Sequence, residues 1–171
     1  DLINKYPQFP DKPNHFRANI KYRSRQIEKD WTKEFPINML SGRVVSHMGT
    51  GTETRSAKYL AEVYNEMFVE IHPDKAFELG IKDGDMVWVY GTMDTRALIK
   101  AKLSYRVDVN SVWVPQNFSG MDQGVSRLDK YPEGTKPYAI GESANMISSY
   151  GYDYNTACPE TKCGLCRIEK A

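Results

Sequence analysis

The chain holds 171 residues, which at roughly 100–200 residues per domain predicts one domain with trimmings and enough length for a core of its own. Lysine plus arginine total 23 against 22 aspartate plus glutamate, a net +1 that excludes general electrostatic affinity for nucleic acid or anionic membrane. Hydrophobic residues make up 40%, low for a globular chain, and no uninterrupted apolar run is long enough to span a bilayer; the composition points to long polar loops or to surface meant for other polypeptide.

In chain order, Pro7, Pro10 and Pro13 favour an extended strap over a helix. Phe16, Ala18, Ile20 and Tyr22 alternate with polar residues and predict a half-buried strand. Residues 24–35 are charged and poorly periodic, as in a linker or surface helix. From Pro36 the texture changes. Ile37 to Leu40 is a short apolar run closed by Ser41-Gly42. Ala57, Leu60, Ala61 and Tyr64 mark one helical face, and Phe68 to Ile71 reads as a strand. Pro73 as first helical residue and Gly80 as terminator predict a two-turn helix over 73–79. Asp83-Gly84-Asp85 is a tight turn before a strand at Met86–Tyr90. Thr95 to Leu103 alternates apolar with charged, Val112 to Val114 is a strand stopped by Pro115, and Leu165 to Ile168 is the last. Residues 116–160 are rich in glycine and loop-like. Many short strands, two short helices and long loops describe a small β-barrel with helical crossovers; a nucleotide-binding open sheet needs longer helices between its strands.

The densest cluster of functional residue types is the stretch Gly42-Arg43-Val44-Val45-Ser46-His47-Met48-Gly49-Thr50-Gly51-Thr52-Glu53-Thr54-Arg55. Glycines admit backbone N–H groups close to an anion, hydroxyls and arginine add charge-assisted hydrogen bonds, and a helix starts just beyond. Phosphate or pyrophosphate suits such a loop, although neither a P-loop nor a dinucleotide fingerprint is present. An ordinary polar loop capping a helix is the competing reading.

This G-R-x-x-x-H-x-x-T-G-T-x-T-R stretch resembles the opening motif of the C-terminal cofactor-binding domain of molybdenum/tungsten bis-molybdopterin-guanine-dinucleotide oxidoreductases. Three further features follow in the family's order: Ile71 through Pro73, Ala76, Leu79-Gly80-Ile81 to Asp83-Gly84-Asp85; Val112 to Pro115 before a long loop; and Asn145, then Pro159-Glu160-Thr161-Lys162 before the last strand. The likeness covers roughly residues 36–169. It implies a mainly β fold, a six-stranded double-psi β-barrel with short crossover helices and long loops. It makes residues 1–35 an extended strap from the preceding part of an enzyme and residues 36–171 its molybdopterin-dinucleotide-binding domain.

By the same resemblance, Gly42, Arg43, Val44, His47, Gly49, Thr50 and Gly51 line the cofactor, and Asn145 and Lys162 contact it from other segments. Gln116 is presented toward an active-site funnel. Gly49 and Glu53 stand where relatives often have His and Met. The resemblance implies bis-molybdopterin guanine dinucleotide with Mo or W as cofactor, and a 4Fe-4S cluster and the metal ligand on other domains, so no catalytic residue falls here. Partners implied are the remaining domains of the catalytic subunit and, in the full enzyme, iron–sulfur and membrane subunits. There is no nucleic acid and no direct membrane insertion, and a periplasmic location is favoured over a cytoplasmic one. The tail around Pro159–Lys162 and Cys166 to Lys170 leans toward a formate dehydrogenase alpha subunit, with formate oxidised to carbon dioxide and the isolated chain inert. A periplasmic nitrate reductase is the alternative within the family.

Outside it, the alternative is a non-enzymatic barrel module that binds metal through its cysteines. Cys158, Cys163 and Cys166 copy the start of a ferredoxin spacing, but the fourth thiolate is missing, which favours plain thiols, with Cys166 facing inward. His15 reads as a surface residue and His72 as a strand end or helix cap. Tyr150, Tyr152 and Tyr154 alternate as loop packing. The chain opens at Asp1-Leu2-Ile3-Asn4 without a basic or apolar leader, as in a mature chain or an excised piece.

Overall fold

A computed structural model of the protein describes residues 29–148, 158 and 162–171. The strap prolines, the alternating stretch at 16–22, His15, the tyrosine stripe and Pro159–Thr161 lie outside the described residues.

Six strands close into a barrel: β1 (Ile37–Gly42), β2 (Phe68–Ile71), β3 (Met86–Gly91), β4 (Thr95–Leu103), β5 (Ser111–Pro115) and β8 (Gly164–Lys170), in the spatial order β1-β5-β2-β4-β3-β8. This is the mainly β barrel expected from the sequence. β1 lies parallel to β5 and β2 parallel to β4, while the remaining neighbours are antiparallel. Parallel neighbours cannot be joined by a hairpin, so the chain crosses over through α1 (Lys58–Val63) and α2 (Pro73–Glu78). A two-stranded ribbon, β6 (Met121–Asp122) with β7 (Val125–Ser126), sits in the loop after β5.

Closure lets each strand bury alternate residues. On β4, Ala97, Ile99 and Ala101 face the core while Arg96 is exposed. On β3, Val87 and Val89 are buried; Trp88 and Tyr90 on the other face lie under the guanidinium groups of Arg96 and Arg167, 4.0 and 4.6 Å from the ring centres. Met39, Ile71, Ile99, Val112 and Cys166 meet inside. Burial pushes the Cys166 thiol pKa well up, so it stays neutral. α2 begins at Pro73; the His72 imidazole Nδ1 caps it by accepting the Asp74 N–H at 3.2 Å, and Gly80 at φ 66° turns the chain out.

Three details depart from the expected elements. The face Ala57, Leu60, Ala61 and Tyr64 buries only Ala61, because α1 is six residues long and covers a rim instead of the wall. Pro115 is the last residue of β5, paired with Gly42, and not the residue that stops it. The described part of 24–35 makes a 3-10 turn at Trp31–Lys33, after which Phe35 is buried.

Strand direction sorts the connections. β1, β3 and β5 run one way and β2, β4 and β8 the other, so the C-terminal ends of the first three share a rim with the N-terminal ends of the others. This upper rim carries residues 43–67, 92–94 and the loop after β5. The lower rim carries 72–85 and 104–110.

Candidate functional site

The upper rim gathers the residues singled out from sequence. Gly42 ends β1, Gln116 follows β5, and Lys162 precedes β8. The Gln116 N–H donates to the Gly42 carbonyl at 2.7 Å, which ties the two strand ends together. Arg43 and Lys162 both line a cleft of about 550 Å³ on the outer wall across β1, β5 and β2. Gly42, Trp113, Glu70 and Arg106 line it as well. A Cβ at Gly42 would stand 2.6 Å from the indole Nε1 of Trp113, so only glycine lets the ring lie against this strand end. Arg106 and Lys102 approach the buried Glu70 carboxylate at 3.7 Å each, Asp108 also lines the cleft, and Arg43 and Lys162 make no ion pair among the described residues. Cations around a polar cleft suit a phosphate-bearing ligand.

Residues 43–57 fold as a compact loop held from beneath. Asn117, fully buried, does most of this. Its Oδ1 accepts the Val44 N–H at 3.0 Å and its Nδ2 donates to the Gly49 carbonyl at 2.5 Å. Gly51, at φ 75°, passes so close that a Cβ would be 2.1 Å from the Asn117 carbonyl oxygen. Arg55 is buried without a carboxylate partner. It donates from Nη1 to the Ser119 and Ala139 carbonyls (3.2 and 3.3 Å) and from Nη2 to Ser119 Oγ (2.7 Å). On the outer side, Gly49 and Thr50 are exposed, the Thr50 and Thr52 hydroxyls are 2.8 Å apart, and the Met48 N–H donates to Thr54 Oγ1 at 3.1 Å.

The expected contacts therefore divide. Gly42, Arg43 and Lys162 line one cleft; Gly49 and Thr50 are exposed on the loop after β1, whereas Gly51 is buried against Asn117. Val44 and His47 are buried beneath the loop. His47 is fully enclosed, donates from Nε2 to the Tyr64 carbonyl at 2.9 Å and sets its ring edge against Phe118. Its role within the chain is to brace the loop; only its Nδ1 lacks a partner. Asn145 stands apart in a 3-10 turn, Ala144–Met146, that packs on the β3–β4 hairpin: Thr95 Oγ1 donates to the Met146 carbonyl, and Ile147 abuts Gly91.

Sequence reasoning passed over Asn117, Trp113 and Arg106. The signal for Asn117 was a polar amide two residues past a strand end, beside a long loop whose backbone needs both a donor and an acceptor. Cys158 and Cys163 are exposed whereas Cys166 is in the core, and among the described residues no group of three His, Cys, Asp or Glu side chains is placed to hold a metal.

A molybdopterin dinucleotide fits these residues on two observations: the cleft pairs two cations with a glycine strand end, and the loop after β1 leaves Gly49 open to space that a side chain would enter. The comparisons agree. An F420-dependent formate dehydrogenase 1 subunit alpha from Methanococcus maripaludis is 30% identical over 137 residues, 80% of this chain and 17% of that subunit. The assimilatory nitrate reductase catalytic subunit of Bacillus subtilis is 34% identical over 84 residues, 49% of this chain and 12% of the subunit. This chain thus spans under a fifth of the length of these relatives. Among solved structures, acetylene hydratase from Pelobacter acetylenicus shares the fold with a TM-score of 0.65 at 18% identity, over 87% of this chain and 20% of that one. Residues 37–163 match the molydopterin dinucleotide binding domain, and it is to this family that the chain belongs.

Proposed function

We propose that this chain is the cofactor-gripping domain of a formate dehydrogenase catalytic subunit, and that it helps hold bis-molybdopterin guanine dinucleotide carrying Mo or W while formate is oxidised to carbon dioxide. The observation that carries the reading is the meeting of Arg43 and Lys162, from strands far apart in sequence, at one cleft beside Gly42. The formate assignment over nitrate is supported by the formate dehydrogenase relatives, which align over more of the chain.

When bound, the metal–pterin group supplies the two-electron chemistry. The chain's own residues bind and orient. Arg43 and Lys162 neutralise the dinucleotide's phosphates. The Gly49–Gly51 turn, braced by Asn117 and Arg55, offers backbone and hydroxyl groups. His47 supports that turn from below. Substrate, metal ligand and iron–sulfur cluster are assigned to the rest of the subunit, with electron-transfer subunits as further partners, so the isolated chain is expected to turn over neither formate nor nitrate.

The test is Arg43→Ala and Lys162→Ala in the full-length subunit, followed by metal and guanine-nucleotide content after gel filtration. Charge-assisted bonds of roughly 1.5–3 kcal/mol each predict retention weakened about tenfold to a hundredfold. Full occupancy in both variants under dilution would refute the assignment, and comparing formate with nitrate turnover in the unmodified enzyme separates the two substrates.

A further inference from the structure

The wall of the barrel opposite the Arg43–Lys162 cleft carries a second pocket, of about 260 Å³, on the outer face of β3, β4 and β8. Tyr90 of β3 pairs with Arg96 of β4 on one side and Arg167 of β8 on the other, so the three form one row across that face. All three line the pocket, with Phe35 and Gln123 beside them. The Arg167 guanidinium stacks 4.6 Å from the Tyr90 ring centre and that of Arg96 4.0 Å from Trp88. Stacking occupies the flat face of a guanidinium and leaves its N–H edge free to donate.

The row is held from behind. A Cβ at Gly124 would stand 2.6 Å from Trp88 Cη2, so the turn of the β6–β7 ribbon lies directly against the ring under Arg96. That turn is pinned by the fully buried Glu142, which accepts the Gln123 N–H at 3.0 Å and the Gly124 N–H at 2.5 Å. The donor edges are not used up within the chain. Among the described residues the Arg96 side chain makes no hydrogen bond and no ion pair, and the carboxylate that meets Arg167 is Glu169, 3.4 Å from Nε. Glu34 and Asp94 also line the pocket, and neither pairs with an arginine there.

We propose that this pocket binds a small monocarboxylate with a short apolar body. A carboxylate is planar and accepts two parallel bonds from an arginine fork. Glu34 and Asp94 equal the two arginines in number, so a polyanion meets repulsion across the pocket that offsets its attraction to the arginine side, whereas a single negative charge fits between the two guanidinium edges. Phe35 and Tyr90 supply apolar surface for the body of the ligand. The site is independent of the cofactor reading, which concerns the opposite wall.

Ligand-observed NMR titrations of butyrate and benzoate into the 171-residue chain and into the full-length subunit test this, with inorganic phosphate and pyrophosphate as comparison anions. The expected result is saturable binding of both carboxylates, weakened about tenfold or more in Arg96→Gln. Arg127→Gln should leave it unchanged, because Arg127 pairs with Asp122 outside the pocket. Arg96 is exposed, so its replacement leaves the core intact, and melting curves of both variants check this. Absence of saturable binding overturns the proposal, as does carboxylate binding that Arg96→Gln leaves unchanged. Phosphate or pyrophosphate bound more tightly than either carboxylate, in a manner that Arg96→Gln abolishes, overturns the ligand class. Arg96-dependent binding by the 171-residue chain that is missing from the full-length subunit overturns it too, because a neighbouring segment of polypeptide then fills the pocket.

Discussion

The two rims of the barrel are closed differently. At the lower rim each connection holds a turn closed by near neighbours in sequence, to which longer-range contacts such as the Leu103 N–H on Asp83 and Lys170 on Asp85 are added. Asp85 accepts the Lys82 N–H at 2.8 Å, Asp108 that of Asn110 at 2.9 Å, and His72 caps the helix it precedes. At the upper rim the loops are closed largely by residues 18 to 84 positions away. Asn117 holds Val44, Arg55 holds the Ala139 carbonyl, and Glu142 accepts the Leu98 N–H at 3.1 Å together with those of Gln123 and Gly124. Among the described residues, the buried polar side-chain atoms without a hydrogen bond are Ser46 Oγ, His47 Nδ1, Arg55 Nε and Thr92 Oγ1 on upper connections and, on β8, Arg167 Nε, which lies 3.4 Å from the Glu169 carboxylate. None lies on a lower connection. The lower end thus leans more on local turns, while the upper end is shaped more by long-range contacts and holds most of the buried polar atoms without a hydrogen-bond partner.

Paired glycine substitutions give the sharpest contrast. Gly51→Ala at the upper rim combines a left-handed backbone with a clash against the Asn117 carbonyl, and is expected to cost about 2–5 kcal/mol as strain and overpacking add. Gly80→Ala at the lower rim has the same backbone handedness but open space around the new methyl, and is expected to cost about 1 kcal/mol. Urea unfolding midpoints read both; equal losses would break the comparison.

Between these lies Arg55→Met, which keeps the length of the side chain but removes its donors. The Ser119 and Ala139 carbonyls then lose their guanidinium partner, for about 2–4 kcal/mol less the relief of burying an uncompensated charge. Amide exchange should quicken in 43–57 and around 119 and 139 while β3 and β4 stay protected. Uniform acceleration across the barrel would show that the upper loops are not a separate stability unit.

The smallest effect is expected from Asp85→Asn. The side-chain bond from Lys170, at 2.8 Å, and the Lys82 N–H hold the Asp85 carboxyl below its ordinary pKa. A carboxylate depressed by folding stabilises above its unfolded pKa, and that contribution is lost as pH falls through the folded value. The variant should melt slightly lower at neutral pH, and the difference should vanish in acid. A gap that persists in acid would mean the turn geometry, and not the charge, is what matters.

How much was legible in the sequence follows the same division. β2, β3, β4 and α2 could be placed from alternation, from Pro73 and from Gly80, because burial period and local capping depend on residues within a few positions of one another. The family motif could be placed on the loop after β1 for a related reason, since its glycines and hydroxyls are neighbours in sequence. Which of those residues face outward was not legible. His47, expected beside the cofactor, is enclosed against Phe118 and Tyr64, and the side chain after β5 that frames the loop is Asn117, next to the Gln116 expected to face an active-site funnel.

The sequence by itself determined that this is a barrel of short strands with a phosphate-suited loop after the first, because period and composition are properties of neighbouring residues. Only the tertiary structure decided that Arg43 and Lys162, about 120 positions apart, meet over Trp113, that Asn117 and Arg55 carry the loop, and that α1 leaves its apolar side uncovered. These follow from the order in which six strands close, and that order is set by the whole core at once.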